Sequence, residues 1–147
     1  MSHPKTIAER EAEVVDEFSL MDDWMDRYAY LIDMGKALKP MNDAYKHDSF
    51  HVKGCQSNVW LRSWVDNRLL FFEAESDAMI TKGLIALLIR VLSGTQPSEI
   101  MSARLEFLDE IGLRTHLSTN RSNGLSAMIA KMKSLAANVV DDKTLTP

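Results

Sequence analysis

The sequence is nearly empty of cysteine: Cys55 stands alone among 147 residues. One thiol excludes an internal disulfide, a CxxC redox pair and any all-thiolate zinc or iron–sulfur site built within one subunit. Cys55 therefore acts with a second molecule, or it is a plain core thiol. Long apolar runs are missing too. The longest, Leu84 to Ile89, stops at Arg90, far short of the roughly 20 residues that span a bilayer. The opening Met1-Ser2-His3-Pro4-Lys5 lacks the apolar stretch of a secretory leader, so a cytoplasmic, soluble protein is expected. Positive charge is not in excess either. Lysine and arginine number 17 against 21 acidic residues, a formal net charge of −4, which argues against a nucleic-acid partner that needs a basic face.

What is present is enough apolar material, 46% of the residues, to bury a core without a disulfide or metal staple. No linker, repeat or low-complexity segment interrupts the chain. The expectation is a single domain over residues 1–147, with 1–5 and 141–147 as flexible ends.

Periodicity predicts a first helix from Ile7 to Phe18, with Val14 and Val15 on its apolar side. Ser19-Leu20-Met21-Asp22 has capping-box spacing and predicts the start of a second. Its buried stripe is Met21, Trp24, Met25, Tyr28, Leu31 and Ile32, with Gly35 near its end. Residues 40–49 read as loop. Val59 to Val65 and Leu69 to Phe72 are rich in aromatic and branched residues and read as a hairpin turning at Asp66-Asn67. A third strand is expected around Ser49 to Lys53.

Asp77 to Leu92 is apolar on nearly every side and predicts a central helix, with Ser76 as N-cap and Asp77 and Arg90 matched to its dipole. Gly94 breaks it, and Pro97 opens a short helix to Met101. Another is predicted from Ala103 to Glu110, stopped by Gly112. The last begins near Ser118, with Leu125, Met128, Ile129, Met132, Leu135 and Val139 on one side. The sum is an α+β fold: a small three-stranded antiparallel sheet with helices mainly on one face.

Cys55 falls in the Gly54-Cys55-Gln56 connection between the first two strands. Gly54 permits the turn, and His51 and Lys53 are placed in sequence to hold a thiolate, the form that attacks sulfur. The competing reading is a buried cysteine acting as a small hydrophobe.

Beyond these local signals, Val52-Lys53-Gly54-Cys55-Gln56-Ser57-Asn58-Val59-Trp60 resembles the cysteine loop of the SufE family, sulfur acceptors for cysteine desulfurases in iron–sulfur cluster assembly. The segment Ser76 to Leu88 is similar to that family's central helix. A third match runs through His116-Leu117-Ser118, Arg121-Ser122-Asn123-Gly124-Leu125 and Ala127-Met128-Ile129. The three fall in family order, and the resemblance extends from Ser19 to Asn138.

This resemblance implies that Cys55 is the persulfide carrier. It takes sulfur from a desulfurase that itself holds pyridoxal phosphate, stimulates that enzyme by draining it, and delivers sulfur to an iron–sulfur scaffold complex. No cofactor on this chain is implied. The implied fold is similar to that of IscU and the NifU N-terminal domain, but the several cysteines of a scaffold are missing. In the family, the resting sulfur is expected to lie in an apolar pocket and to swing outward on docking. Gly54, Gln56, Ser57, Asp77 and Arg121 are the supporting or partner-contact candidates. Arg121 competes with the reading of a solvated arginine in a first helical turn, and Asp77 with helix capping. One departure is Thr119 where the family usually has proline, which loosens the helix start while Ser118 still caps it.

Other readings carry less. His47, His51 and Cys55 are spaced by four, which gathers metal ligands only on a helix, and this segment reads as loop and strand. Five of the nine methionines, Met21, Met25, Met79, Met128 and Met132, fall on predicted buried stripes and read as core. Trp60 and Trp64 share one strand face, as cover for the sheet or as a docking surface. A thiol hydrolase or redox enzyme lacks a resolving cysteine or an oriented histidine. The alternative function is a regulatory module that binds a desulfurase without carrying sulfur.

Overall fold

The computed structural model describes residues 5–141. Among them are seven α-helices and one antiparallel hairpin: α1 Ile7–Ser19, α2 Trp24–Ala37, β1 Val59–Asp66, β2 Leu69–Ser76, α3 Met79–Leu92, α4 Pro97–Ser102, α5 Phe107–Glu110, α6 Leu113–His116 and α7 Thr119–Asp141. The class is α+β. No helix among the described residues is long and apolar enough to cross a membrane.

Helix ends follow local hydrogen bonding, not always where the spacing placed them. The capping box belongs to α1: the Glu9 amide donates to Thr6 Oγ1 at 3.1 Å and the Thr6 amide to Glu9 Oε1 at 3.0 Å. Ser19 closes α1, its hydroxyl donating to the Asp16 carbonyl at 2.6 Å. Asp23 caps α2 instead, accepting from the Met25 amide at 2.8 Å. Of the expected flexible ends, residues 1–4 and 142–147 lie outside the described ones. The Lys5 carbonyl accepts from Arg10 Nε at 3.1 Å, and Asp141 is the last residue of α7.

β1 and β2 pair along their length, Val59 opposite Ser76 and Asp66 opposite Leu69. The turn is Asn67-Arg68, with φ of 52° and 67°, one residue later than expected. A two-residue primed turn needs both central residues at positive φ, and Asp66 is still paired. The sheet has two strands, not three. Where the third was expected, a single bridge joins His51 to Trp60, and the Val52 amide donates to the Val59 carbonyl at 2.8 Å. The 3₁₀ turn Asp48–Phe50 ends just before it. Gly54, at φ 94°, turns the chain away just after it. Two residues are too few for a ladder.

One sheet face carries Val59, Leu61, Leu70, Phe72 and Ala74, all buried, which face Ile85 and Leu88 of α3 and Met128 and Met132 of α7. Helices thus gather on this face. The other face is covered by the segment before β1: Arg62 lies over the Tyr45 and Trp64 rings at 4.1 and 4.5 Å and pairs with Glu73 at 3.2 Å. Trp60 meets the His51 ring edge-on, and Trp64 stacks on Phe71 while remaining 38% exposed.

The central helix is α3, buried from Gly83 to Leu88 between the sheet, α1, α2 and α7. α2 reaches it through glycine, because a Cβ on Gly83 would lie 2.3 Å from the Leu31 carbonyl oxygen. The Trp24 ring of α2 stacks on His116 at 4.0 Å, and Tyr28 donates its hydroxyl hydrogen to the His116 carbonyl. These contacts tie α6, and the start of α7 beyond it, to the rest of the fold. The expected helix over 103–110 is reduced to α5, since Leu105 takes a positive φ of 56° that no helix interior accommodates.

Candidate functional site

Cys55 sits in the loop between Val52, a buried anchor, and the first residue of β1, also buried. The loop is held at both ends. At its start Gly54 adopts φ 94° and lies so close to α7 that an added Cβ would be 3.2 Å from Ala127 Cβ. At its end the Asn58 amide and side-chain amide both donate to the Asp77 carboxylate, at 3.1 and 2.9 Å. Asp77 is therefore not the first residue of the central helix, which begins at Met79. Nor does Ser76 cap it: Ser76 ends β2, and its hydroxyl accepts from the Ala78 amide at 3.2 Å. The carboxylate is spent on the cysteine loop, because a fork of two Asn58 donors outcompetes a dipole contact.

Between these anchors the sulfur is half-buried. Cys55 Sγ points to the carbonyl of Gly124 at 3.6 Å, within hydrogen-bonding reach for a thiol donor. Burial pushes the Cys55 thiol above its usual range, because a thiolate loses solvation there. No charged group offsets this. His51 is turned away, its Nε2 at 3.2 Å from Asn58 Oδ1, and Lys53 is exposed. Neither supports a thiolate, which corrects the expectation for both. Nor do His47, His51 and Cys55 form a metal site: no group of three potential ligands is assembled among the described residues.

The sulfur opens into a cleft of about 560 Å³. Gln56 and Ser57 line it beside Cys55, and Arg121 lines it from the first turn of α7. The structure therefore brings together four of the sequence candidates. Gly54 and Asp77 shape the loop from outside the cleft. Ser118 caps α7, accepting from the Arg121 amide at 3.3 Å, so the helix starts in order without proline.

Gly124 and Thr81, which also line the cleft, were not among the site candidates. Gly124, buried in the second turn of α7, gives the sulfur its carbonyl neighbour; its signals were its place in the third family-like segment and a glycine where alanine favours the helix. Thr81 is buried on the cleft wall. Met79 is 62% exposed at the rim, and Met25 of α2 is 77% exposed. Both were expected in the core, but each lies in the first turn of its helix, ahead of the packed part. Met128 and Met132 are buried as expected, and Met21 partly so.

Comparison with known proteins gives the family. The SufE family model, described as an Fe-S metabolism associated domain, matches residues 12–136. The chain belongs to the SufE family. Among SufE relatives, an uncharacterized SufE-like protein of Rhizobium meliloti is 42% identical over 131 residues, spanning 84% of this chain and 92% of its own. SufE-like protein 1, chloroplastic/mitochondrial, of Arabidopsis thaliana is 37% identical over 128 residues. That match spans 86% of this chain but 34% of the plant protein. The solution structure of a hypothetical protein from Thermus thermophilus superposes with a TM-score of 0.76 at 16% identity, covering 90% of this chain and 97% of that one. At that identity the likeness concerns the fold alone.

Proposed function

We propose that this SufE-family protein is a sulfur acceptor and carrier working with a cysteine desulfurase in iron–sulfur cluster assembly. The observation that carries the reading is the placement of the lone cysteine: half-buried, on a loop pinned at both ends, opening into a cleft, with no second thiol or metal-ligand cluster beside it among the described residues. Such a thiol suits an exchange reaction with an incoming sulfur better than redox cycling on its own.

In the proposed step the Cys55 thiolate attacks the outer sulfur of a persulfide on the partner enzyme. The partner's sulfur–sulfur bond breaks, its thiolate leaves, and Cys55 becomes a persulfide. There is no net oxidation, and sulfide is never released. Pyridoxal phosphate stays on the desulfurase, and an iron–sulfur scaffold complex is the recipient. Burial disfavours the thiolate at rest, so docking is assigned the role of exposing the sulfur, with exposed Met79 at the rim as an apolar contact. A reducing compartment such as the cytoplasm fits this chemistry.

Intact mass after incubation with a desulfurase, pyridoxal phosphate and cysteine tests the proposal. One added sulfur atom is expected, removable by reductant and absent in Cys55→Ser. If Cys55→Ser still stimulated the desulfurase fully, the protein would be a regulator and not a carrier. Alkylation of Cys55 is expected to accelerate when the partner is added; equal rates would remove docking as the trigger.

A further inference from the structure

Hydrogen-bond donors from two helices meet at the Cys55 cleft. The first turns of two long helices, α3 and α7, both line it. The first turn of α3 has no side-chain cap, so the amides of Met79, Ile80 and Thr81 have no partner among the described residues. At α7 the Ser118 hydroxyl takes only the Arg121 amide. Two helix ends thus bring unused N–H donors and positive partial charge to one space.

A separate observation points to a ligand there. Thr81 is only 9% exposed and lines the cleft, yet its hydroxyl makes no hydrogen bond among the described residues. No fully enclosed side-chain oxygen or nitrogen lacks a partner among them, so this hydroxyl is not sealed in the core, and the cleft is the cavity that Thr81 lines. Arg121 adds a guanidinium with no carboxylate partner among the described residues, and no acidic residue lines the cleft. The nearest loop carboxylate, Asp77, is occupied by Asn58. One guanidinium with neutral donors matches a monoanion, and about 560 Å³ accommodates a ligand of amino-acid size.

We propose that this cleft binds a small carboxylate-bearing thiol, its carboxylate at Arg121, Thr81 and the two helix ends and its sulfur beside Cys55. Resting on the carrier reading above, the ligand thiolate attacks the outer sulfur of the Cys55 persulfide. The S–S bond breaks, Cys55 leaves as a thiolate, and the outer sulfur departs on the ligand as its persulfide, with no net oxidation. The protein thereby has an outlet to small thiols besides its protein recipient.

The site is tested first without any persulfide. On the reduced full chain, the ratio of Cys55 alkylation by iodoacetate to that by iodoacetamide is compared with the same ratio for the chain unfolded in urea. Folding is expected to raise it about tenfold at low salt, with Arg121→Gln removing most of the gain and Thr81→Val part of it. Equal ratios in the folded and unfolded chain, or a raised ratio that neither substitution lowers, would overturn the site. The second arm uses the persulfide-loaded chain and compares sulfur release to 3-mercaptopropionate with release to 3-mercapto-1-propanol. The acid is expected to be the faster acceptor, and equal rates would overturn the transfer. A chain that never loads sulfur leaves the alkylation ratio intact as a readout, so failure of the carrier reading is distinguishable from failure of the site.

Discussion

At the scale of single residues, the proposed carrier role makes two separable demands on the sulfur's surroundings: a thiol whose charged form is disfavoured at rest, and room for one more atom. Burial alone raises the Cys55 thiol, so the folded chain holds less thiolate at a given pH than the unfolded one. The alkylation rate of folded Cys55 is therefore expected to keep climbing with pH past the point where the chain unfolded in urea levels off; coincident pH profiles would contradict the burial argument. The room is tested at Gly124. A Cβ there would sit 3.6 Å from Sγ and 3.9 Å from Cys55 Cβ, ordinary contact that costs the fold nothing. Alanine also favours a helix interior by up to about 1 kcal/mol. Gly124→Ala is thus expected to unfold at the same or slightly higher urea concentration while taking up persulfide sulfur more slowly, since the methyl occupies space the second sulfur needs. A large loss of stability would show that the glycine serves the backbone and not the sulfur.

At the scale of elements, the fold depends on how closely α2 and α3 approach. The Gly83 Cβ that is missing would lie 2.3 Å from the Leu31 oxygen, and one on Gly35 would lie 2.8 Å from the Gly83 nitrogen, so backbone meets backbone there. Gly83→Ala is expected to cost about 3 kcal/mol by overpacking, seen as a lower urea midpoint with an unchanged slope. Parent-like stability would mean the helices slide apart freely. Elements with a strong period were legible in the sequence: α1, α3, α7 and the hairpin all stand near where apolar spacing placed them. What was not legible depended on partners distant in sequence. Asp77 looked like a helix-capping residue because its true partner, Asn58, lies 19 positions upstream. The third strand, expected around Ser49 to Lys53, falls short because a 3₁₀ turn and Gly54 leave it two residues. Cys55 and Arg121 were legible as a motif, whereas Thr81 carried no signal apart from its place in the central-helix segment, and Gly124 had no role until its carbonyl met the sulfur.

At the scale of the whole molecule, three of the four long helices, α1, α2 and α3, are joined by one charged cluster and not by apolar contact alone. Glu17 of α1 accepts from the Arg90 guanidinium of α3, at 2.7 Å through Nη1, and from the Tyr30 hydroxyl of α2. The Arg90 hydrogen bonds hold the Glu17 carboxyl below the usual carboxylate range against the opposing effect of burial, and Glu17 in turn raises Arg90. A carboxyl whose folded pKa is depressed contributes stability that is present above its unfolded value of 4.5 and disappears as pH falls through the folded pKa. Both side chains are about one-third exposed, so solvent screens the pair, and its worth at neutral pH is about 1 kcal/mol. Glu17→Gln is accordingly expected to be less stable than the parent by that amount at pH 7. Urea unfolding at a series of pH values should then show the gap closing below pH 4.5, as the parent's own Glu17 takes up a proton. A gap that stayed constant through that range would mean the glutamate serves by shape and hydrogen bonding alone, and that its charge does not join α1 to α3.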